Sequence, residues 1–192
     1  KENQYLRTVS DEVKRLSRLV TGMLNMSKIE AGELDIKPQK FDISEMIFRT
    51  LLAFERIIDG KHIEIRGLET MKSNHITADK DMINQVIYNL VDNAVKFTND
   101  SGQISFKISS DADFVYFNIR NTGEGIKKSD LPFVFDRFYK TDQSRGLDAT
   151  GVGLGLNIVK SIVKLHGGTI RVTSVEGEYT KFIIQFKNTE ES

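Results

Sequence analysis

The chain has 192 residues, of which 39% are hydrophobic and 28% are charged, a composition typical of a folded globular domain and not of a disordered segment. Lysine plus arginine and aspartate plus glutamate both number 27, so the formal net charge is zero and gives no sign of bulk electrostatic capture of nucleic acid or anionic membrane. The absence of cysteine excludes disulfides, thiol chemistry and cysteine-based metal sites. No apolar run reaches about 18 residues, so this piece of chain is not expected to span a membrane.

The first part of the chain is predicted to be one long helix, because its apolar residues recur at alternating spacings of three and four. This period is typical of the seam of a coiled coil or helical bundle. Its members are Leu6, Val9, Val13, Leu16, Val20 and Met23. A lone helix cannot bury such a seam, so we favour dimerisation, or a helix missing from this chain, over packing on its own domain. Gly32 and Pro38 then break the pattern, which predicts two domains, residues 1–33 and 34–192.

A second helix is predicted to begin at Asp42 and to run to about Ile58, after a short strand in the preceding linker. Asp42 suits an N-cap, and Glu45 three residues later completes the pattern of a capping box. Phe41 and Met46 are placed to form the hydrophobic staple that accompanies such a helix start.

The remaining elements follow from alternating or helical apolar periodicity. In chain order they are strands at 62–68 and 75–79, a helix from 79 to 97, a hairpin of 103–110 with 114–121, a short helical piece within 129–139, a helix entered through the glycines of 151–155 and closed at Gly167, and a hairpin of 169–175 with 180–187. Residues 140–150 are polar and lack periodicity, which predicts a mobile surface loop. The expected fold class is α+β, a two-layer sandwich with helices on one face of a mixed sheet of about five strands, preceded by the long bundle helix.

The helix at 79–97 carries an unusual polar stripe. Gln85, Asn89, Asn93 and Lys96 lie four, four and three residues apart, within an arc of about 80°. The opposite side is apolar and consists of Ile83, Val86, Ile87, Leu90, Ala94 and Phe97. A solvated face is the simpler interpretation, but such faces usually carry Glu, Lys and Arg, and two asparagines cost about 1 kcal/mol relative to better helix formers. Amide oxygens suit Mg²⁺ and an ammonium group suits phosphate, so the stripe is a candidate site for both.

Two glycine motifs lie downstream of this helix. Gly123 and Gly125, in "NTGEGI", follow a predicted strand directly and allow close backbone approach to a flat ligand. The segment "GVGLGL" (151–156) leads into a helix, where free N–H groups form a phosphate site. Each motif alone is equally typical of an ordinary turn, and the helical spacing of Leu154 and Leu156 is more simply that of core residues.

Together these segments resemble a known family. In order, "NLVDNAVKFT" (89–98), "NTGEGI" (121–126), "FDRFYK" (135–140) and "GVGLGL" resemble the N, G1, F and G2 boxes of sensor histidine kinases. Residues 15–34 resemble the second helix of the dimerisation and phosphotransfer domain of these kinases. The resemblance implies a Bergerat-type ATP-binding fold shared with gyrase, Hsp90 and MutL, the cofactors ATP and Mg²⁺, a response regulator as partner, a homodimer in the full-length protein and a cytoplasmic location.

The resemblance also implies roles for individual residues around the nucleotide. Asn93 would ligate Mg²⁺ with support from Asn89, Lys96 would touch phosphate, and Phe97 would help wall the pocket. The adenine pocket would be formed by residues that match the G1 box and a hydroxyl position in "YTKF", namely Asn121, Gly123, Gly125, Ile126 and Thr180.

The resemblance further identifies residues 137–150 as the ATP lid. The possible phosphate contacts of the lid are Arg137, Lys140 and Arg145. The hinge and phosphate cradle would comprise the G2 residues Gly151, Gly153, Leu154, Gly155 and Leu156.

The sequence departs from the family at two points. The family phosphorylates a histidine on the first bundle helix, but His62 and His75 lie at the starts of predicted strands and His166 ends a helix. The chain is therefore expected to bind ATP but to lack its own phosphoacceptor. Asn121 stands where the family has an adenine-reading Asp, which would cost about 1 kcal/mol by replacing a charged hydrogen bond with a neutral one and leaves adenine or guanine selectivity open.

Three functions are weighed. The leading hypothesis is the catalytic region of a sensor histidine kinase. The second is an ATP-hydrolysing clamp of the gyrase or Hsp90 type, which needs a general base at the position of Asn89, and an amide cannot take a proton at neutral pH. The third is a catalytically silent nucleotide-binding module, which Asn121 slightly favours and the intact asparagine and glycine boxes oppose.

Overall fold

The computed structural model describes residues 35–69, 71, 73–141 and 153–187, and positions 13, 20, 23, 24, 27 and 28. The chain divides into two compact units, residues 1–35 and 36–192. In the first unit the six described positions before residue 35 are helical. Four of them are apolar and more than half exposed: Val13, Val20, Met23 and Leu24. The assignment of residues 1–33 to a dimerisation helix remains a prediction.

The second unit is built on a five-stranded mixed sheet and a separate two-stranded sheet. The strands are β1 (Pro38–Asp42), β2 (Glu64–Arg66), β3 (His75–Asp79), β4 (Gln103–Ser110), β5 (Phe114–Thr122), β6 (Thr169–Val175) and β7 (Tyr179–Lys187). The large sheet has the order β2-β4-β5-β7-β6, in which only β2 and β4 run parallel, and β1 pairs with β3. The predicted α+β class and both predicted hairpins are confirmed.

The described helices are α1 (Ile43–Leu52), α2 (Glu55–Gly60), α3 (Lys80–Phe97) and α4 (Gly155–Leu165), with a 3₁₀ turn at Leu131–Phe133. This turn is all that forms of the helical piece predicted within 129–139. The predicted strand start at His62 is also wrong, because His62 has φ +53° and lies in a turn before β2. The mobile loop predicted at 140–150 lies outside the described residues from position 142 onward.

The prediction of one helix from residue 43 to Ile58 is wrong, because the helix ends at Leu52 and restarts at Glu55. The hydroxyl of Thr50 donates to the carbonyl of Met46 at 2.8 Å, a bond that bends helices. The break allows Phe54 to be buried with its ring 5.2 Å from that of Tyr88. A tertiary contact therefore overrides the continuous helical period.

The predicted N-cap of α1 is confirmed, whereas the capping box is wrong. The Asp42 carboxylate accepts from the N–H of Ser44 at 2.8 Å and also binds the Ser73 hydroxyl and the Asn74 N–H. The Glu45 side chain does not reach back to the Asp42 N–H and instead pairs with Arg49 at 2.6 Å on the exposed face of the helix.

Replacing Asp42 with alanine is expected to destabilise the fold by about 1 kcal/mol at neutral pH, because the cap is lost. Burial raises the pKa of Asp42, but hydrogen bonds from Ser73, Asn74 and Ser44 outweigh it and hold the pKa below the ordinary 3.8. The charged carboxylate therefore stabilises the fold above that pH, and the benefit is lost as the pH falls through the lowered pKa. Urea unfolding at several pH values should show the difference from wild type shrinking in acid, whereas Asp42→Asn should retain most of the capping.

The core lies between the helices and one face of the large sheet. The buried side chains of β5 and β7 alternate along each strand: Val115, Phe117, Ile119 and Asn121 in β5, and Thr180, Phe182, Ile184 and Phe186 in β7. The buried face of α3 is formed by Ile83, Val86, Ile87, Leu90, Val91, Ala94 and Val95. Phe97, predicted on this face, is only half-buried.

No helix in the described part of the chain combines the length and apolarity needed to cross a bilayer.

Candidate nucleotide-binding site

The polar stripe lies on α3, whose start is fixed by two contacts. The Asp79 carboxylate caps the helix by accepting from the N–H of Met82 at 3.1 Å. The Asp79 N–H donates to Nε2 of His166 at 3.1 Å, and the Nδ1 of that ring lies 2.8 Å from the carbonyl of Ile162. Because Nε2 accepts, the proton belongs on Nδ1. His166 therefore joins the end of α4 to the start of α3, in agreement with its prediction as a helix-end residue.

The end of α3 is held by Lys61, which the sequence analysis missed. Its ammonium group donates to the carbonyls of Val95, Lys96 and Thr98 at 3.0, 3.0 and 2.8 Å. These carbonyls end the helix, where the macrodipole favours a cation. A lysine 34 to 37 residues from its partners has no local sequence signature.

Asn89 and Asn93 lie one turn apart on α3 and are both half-buried. Nδ2 of Asn89 is buried without a hydrogen-bond partner. The neighbouring Asn93 is half-buried, and its amide makes no hydrogen bond to another described residue. Asn74 and Asn121 donate to protein oxygens, and Asn157 donates to one while its Oδ1 is also buried without a partner. Because buried polar groups are normally paired, the unpaired nitrogen of Asn89 marks a position for a polar ligand.

The start of α4 lies against Asn89. A Cβ built on Gly155, the first residue of this helix, would lie 3.4 Å from Oδ1 of Asn89. The N-cap of α4, Leu154, makes no side-chain hydrogen bond to the helix. The first N–H groups of α4 therefore have no side-chain cap and lie close to the Asn89 amide, an arrangement that suits phosphate oxygens.

Lys96 belongs to the predicted phosphate contacts, but its charge is already compensated. Its Nζ lies 2.6 Å from Oδ2 of Asp92, one turn earlier on α3, and both side chains are about a third exposed, at 37% and 27%. A phosphate bound here would share the ammonium group with this carboxylate. Its role as a phosphate ligand remains a prediction.

The backbone at Gly123 and Gly125 of the G1 segment leaves no room for a side chain. A Cβ on Gly123 would lie 2.1 Å from the carbonyl oxygen of Phe97, at the end of α3. A Cβ on Gly125 would lie 2.2 Å from the carbonyl oxygen of Val175, and its φ is +68°. Only glycine permits these approaches, so the segment is pressed against both α3 and the β6–β7 turn.

Ser174 joins this segment to the sheet and was also missed by the sequence analysis. Its hydroxyl accepts from the N–H of Ile126 at 2.8 Å, donates to the carbonyl of Tyr179, and lies 3.1 Å from the hydroxyl of Thr180. Thr180 is buried and pairs directly with Asn121 across β5 and β7. The structure thus brings together the predicted adenine-pocket residues Asn121, Ile126 and Thr180.

The amide of Asn121 has a defined orientation. Its Nδ2 donates to the carbonyl oxygen of Thr122 at 3.1 Å. The bond directs the amide nitrogen towards the backbone and leaves Oδ1, which no described residue donates to, as an acceptor for a ligand. An acceptor at this point matches the exocyclic amino group of adenine and would oppose the carbonyl oxygen O6 of guanine.

Near its start, the predicted lid (137–150) is joined to Gly153, which follows the lid in the chain. The N–H of Phe138 donates to the carbonyl of Gly153 at 3.0 Å, and both residues have positive φ, +60° and +73°. Arg137 is exposed and Lys140 half-buried beside this closure, whereas Arg145 and Gly151 lie outside the described residues.

The start of α4 comprises its N-cap Leu154 and the helical residues Leu156 and Asn157. Leu154 is buried and Leu156 half-buried, as the core interpretation of their spacing expects. Asn157 donates to the carbonyl of Phe135 at 2.8 Å and so ties the F segment to α4, a link the sequence analysis missed.

The donor set fits Mg²⁺ only when the metal arrives with a phosphate group. The described residues contain no cluster of three His, Cys, Asp or Glu side chains that could hold a metal. Asn89 and Asn93 offer neutral oxygens, and Mg²⁺ commonly completes its coordination with substrate phosphates and water. The amide oxygens of Asn89 and Asn93 would therefore hold the metal in company with a triphosphate.

Comparison with known proteins identifies the family. Residues 78–190 match the family described as histidine kinase-, DNA gyrase B- and HSP90-like ATPases, which is more than half of the chain. The chain belongs to this family. The resemblance to sensor histidine kinases is confirmed by relatives: the sensor histidine kinase WalK of Bacillus subtilis is 32% identical over 193 residues, and the sensor protein SrrB of Staphylococcus aureus 35% over 187. The chain covers 31% and 32% of their lengths, and they cover 98% and 97% of the chain.

Solved structures agree with this family fold. The catalytic domain of histidine kinase ThkA aligns with a TM-score of 0.66 and 26% identity, over 81% of this chain and 99% of that one. The histidine kinase AdeS of Acinetobacter baumannii aligns with a TM-score of 0.79 at 23% identity, over 96% of this chain and 84% of its own. Full-length ShkA, solved in complex with AMPPNP, aligns with a TM-score of 0.81 at 24% identity, over 99% of this chain and 40% of its own. The last two support the fold alone.

Proposed function

We propose that this chain is the ATP-binding catalytic region of a sensor histidine kinase, which transfers the γ-phosphoryl group of ATP to a histidine on a helix outside this chain. The observation that carries the proposal is the buried, unpaired Nδ2 of Asn89, one helical turn from Asn93 and beside the uncapped start of α4. By the same proposal the phosphoryl group passes to the receiver domain of a response regulator, the full-length protein is a homodimer, and this region lies in the cytoplasm.

Each part of the site has a proposed task. Oδ1 of Asn121 and the hydroxyl of Thr180 read the adenine edge, while Gly123, Gly125 and Ile126 allow the base to lie against the backbone. The N–H groups at the start of α4 orient the phosphates. Asn93, supported by Asn89, holds the Mg²⁺ that neutralises charge on the triphosphate when it is bound.

The remaining predicted residues act at the edges of the pocket. Phe97 walls it, and Lys96 reaches a phosphate while keeping its contact with Asp92. Contributions from the lid are proposed for Arg137, Lys140, Arg145, Gly151 and Gly153, with Leu154 and Leu156 flanking the Gly155 cradle.

The chemistry of Asn89 favours transfer to a side chain over hydrolysis. A hydrolytic clamp needs a base that activates water, and an amide does not accept a proton at neutral pH. Positioning and charge neutralisation, which the site offers, are the main requirements of phosphoryl transfer to an acceptor held in line.

The direct test supplies the missing acceptor. The chain is incubated with Mg·ATP labelled at the γ-phosphate and with a dimerisation domain that carries the phosphoacceptor histidine of the longer protein. We expect acid-labile, base-stable phosphate on that domain and none when its histidine is replaced by glutamine. Steady release of phosphate from the chain alone, with no transfer, would support the clamp, and absence of nucleotide binding would contradict both functions.

Asn121→Asp is expected to tighten ATP binding about five-fold, because a charged acceptor replaces a neutral one at a gain of about 1 kcal/mol. The same change should lower the melting temperature of the nucleotide-free protein, because a carboxylate oxygen would face the Thr122 carbonyl that now accepts from Nδ2. Calorimetric titration with ATP and with GTP measures the effect, and wild-type protein should prefer ATP. Equal affinity for the two nucleotides would contradict the orientation assigned to Asn121.

A further inference from the structure

The face of the large sheet that points away from the helices carries a group of cations. Strand pairing places Arg120 of β5 directly opposite Lys181 of β7. In the next row, Lys107 of β4 and Arg171 of β6 lie at the two ends of a line of four paired residues. We call these four residues the open-face patch; at about 4.8 Å between strands it spans about 14 Å across the sheet and about 7 Å along it.

The charges of the open-face patch are not compensated within the described chain. None of its four side chains lies within ion-pair distance of a carboxylate in the described residues, unlike Arg66, which pairs with Glu64 at the sheet edge. Like charges directly opposite each other destabilise a sheet, so the Arg120–Lys181 pair opposes folding. Arg120 is nevertheless held in place, with its guanidinium 4.3 Å from the centre of the Tyr179 ring.

Carboxylates border this patch at both ends of the strands. The β4–β5 turn carries Asp111 and Asp113, and the β6–β7 turn carries Glu176 and Glu178, all exposed. Asp111 also accepts hydrogen bonds from the N–H groups of Phe114 and Asp113, which hold its pKa below its usual range. A long polyanion or an anionic bilayer would meet these borders, which lie about 10–13 Å from the cations along the strands, on the order of one screening length.

We propose that the open-face patch docks a short acidic segment of a protein partner, whose carboxylates fit between the two borders. A compact group of carboxylates can form ion pairs with the four cations without coming close to the flanking acids. A nucleic acid or a membrane surface is too extended to avoid those acids. Consecutive strand residues point to opposite faces, so Arg120 and Lys181 lie directly behind Asn121 and Thr180. The partner and the nucleotide therefore occupy opposite faces of the same strands, and the docking does not depend on the proposed function.

The test measures binding of a fluorescein-labelled acidic peptide, with Glu and Asp separated by Ser, to the whole 192-residue chain. Lys107 is exposed and Lys181 half-buried. Fluorescence anisotropy in low salt should show binding that Lys107→Gln with Lys181→Gln weakens about five-fold, the size expected for the loss of two solvent-screened ion pairs. The matched control, Lys80→Gln with Lys164→Gln, removes two exposed lysines from helices α3 and α4 and should change binding less than two-fold. Equal losses in both variants, or no peptide binding, would overturn the proposal.

Three further outcomes decide the matter. Tighter binding of single-stranded DNA or of phosphatidylserine vesicles through the same lysines would overturn the assignment to an acidic protein segment. Saturating Mg·ATP should leave peptide binding unchanged, and competition would place the peptide in the nucleotide site instead. The patch variant should melt at or above the wild-type temperature because a repulsion is removed, and a clearly lower melting temperature would show that the cations serve the fold.

Discussion

Asn93→Ala is expected to weaken Mg·ATP binding about 100-fold, or about 2.7 kcal/mol, with the fold intact. Asn93 is half-buried, and its amide makes no hydrogen bond to another residue in the described ranges, so its removal breaks no hydrogen bond there. The loss should come from the metal, because an amide oxygen is a ligand that alanine cannot replace. Calorimetric titration with ATP, with and without Mg²⁺, measures this loss of affinity. The metal should strengthen ATP binding in wild type but not in the variant.

Asn84→Ala is the matched control for Asn93→Ala. Asn84 lies on the same helix but is exposed, so the same chemical change there should alter affinity less than two-fold. Wild-type affinity in Asn93→Ala, or an equal loss in Asn84→Ala, would contradict the metal site.

Gly125→Ala is expected to destabilise the second unit by about 3 kcal/mol and to abolish nucleotide binding. Its φ of +68° alone costs a side chain about 1–2 kcal/mol. The added Cβ would also lie 2.2 Å from the carbonyl oxygen of Val175, so the segment must move away from the β6–β7 turn. Urea unfolding and ATP titration of the same sample measure both effects.

Gly177→Ala separates the two causes. Gly177 lies in the β6–β7 turn, against which Gly125 packs. Its φ is also positive, at +80°, but a Cβ there would meet nothing within 4 Å. This variant should therefore lose only the 1–2 kcal/mol of backbone strain, roughly, and should retain nucleotide binding. If the two variants prove equally destabilised and equally able to bind ATP, the close packing of Gly125 is irrelevant to the site.

The sequence predicts those parts of the fold that depend on local pattern. The helix α3 is predicted from Asp79 to Phe97 and forms over Lys80–Phe97, because its apolar period is local. The break between α1 and α2 could not be predicted, because it depends on the contact of Phe54 with Tyr88, 34 residues later in the chain. The capping box failed for a similar reason: Asp42 takes its further partners from Ser73 and Asn74.

The candidate site divides in the same way. Residues with a recognisable type and spacing were predicted: the amides of α3 and the glycines of the G1 segment. The residues that hold these parts together were not, because Lys61, Ser174 and Asn157 are ordinary polar side chains that act on backbone atoms 22 to 48 residues away. Their roles arise only when the chain is folded.

In the function proposed above, Asn89 and Asn93 hold the metal of a metal–nucleotide complex. Paramagnetic broadening of side-chain amide signals tests this directly in the isotope-labelled chain, with Mn²⁺ in place of Mg²⁺ and a non-hydrolysable ATP analogue. We predict the strongest broadening at the NH₂ groups of Asn89 and Asn93 and little at Asn84. Broadening centred on other residues, with these two amides unaffected, would show that the metal lies elsewhere.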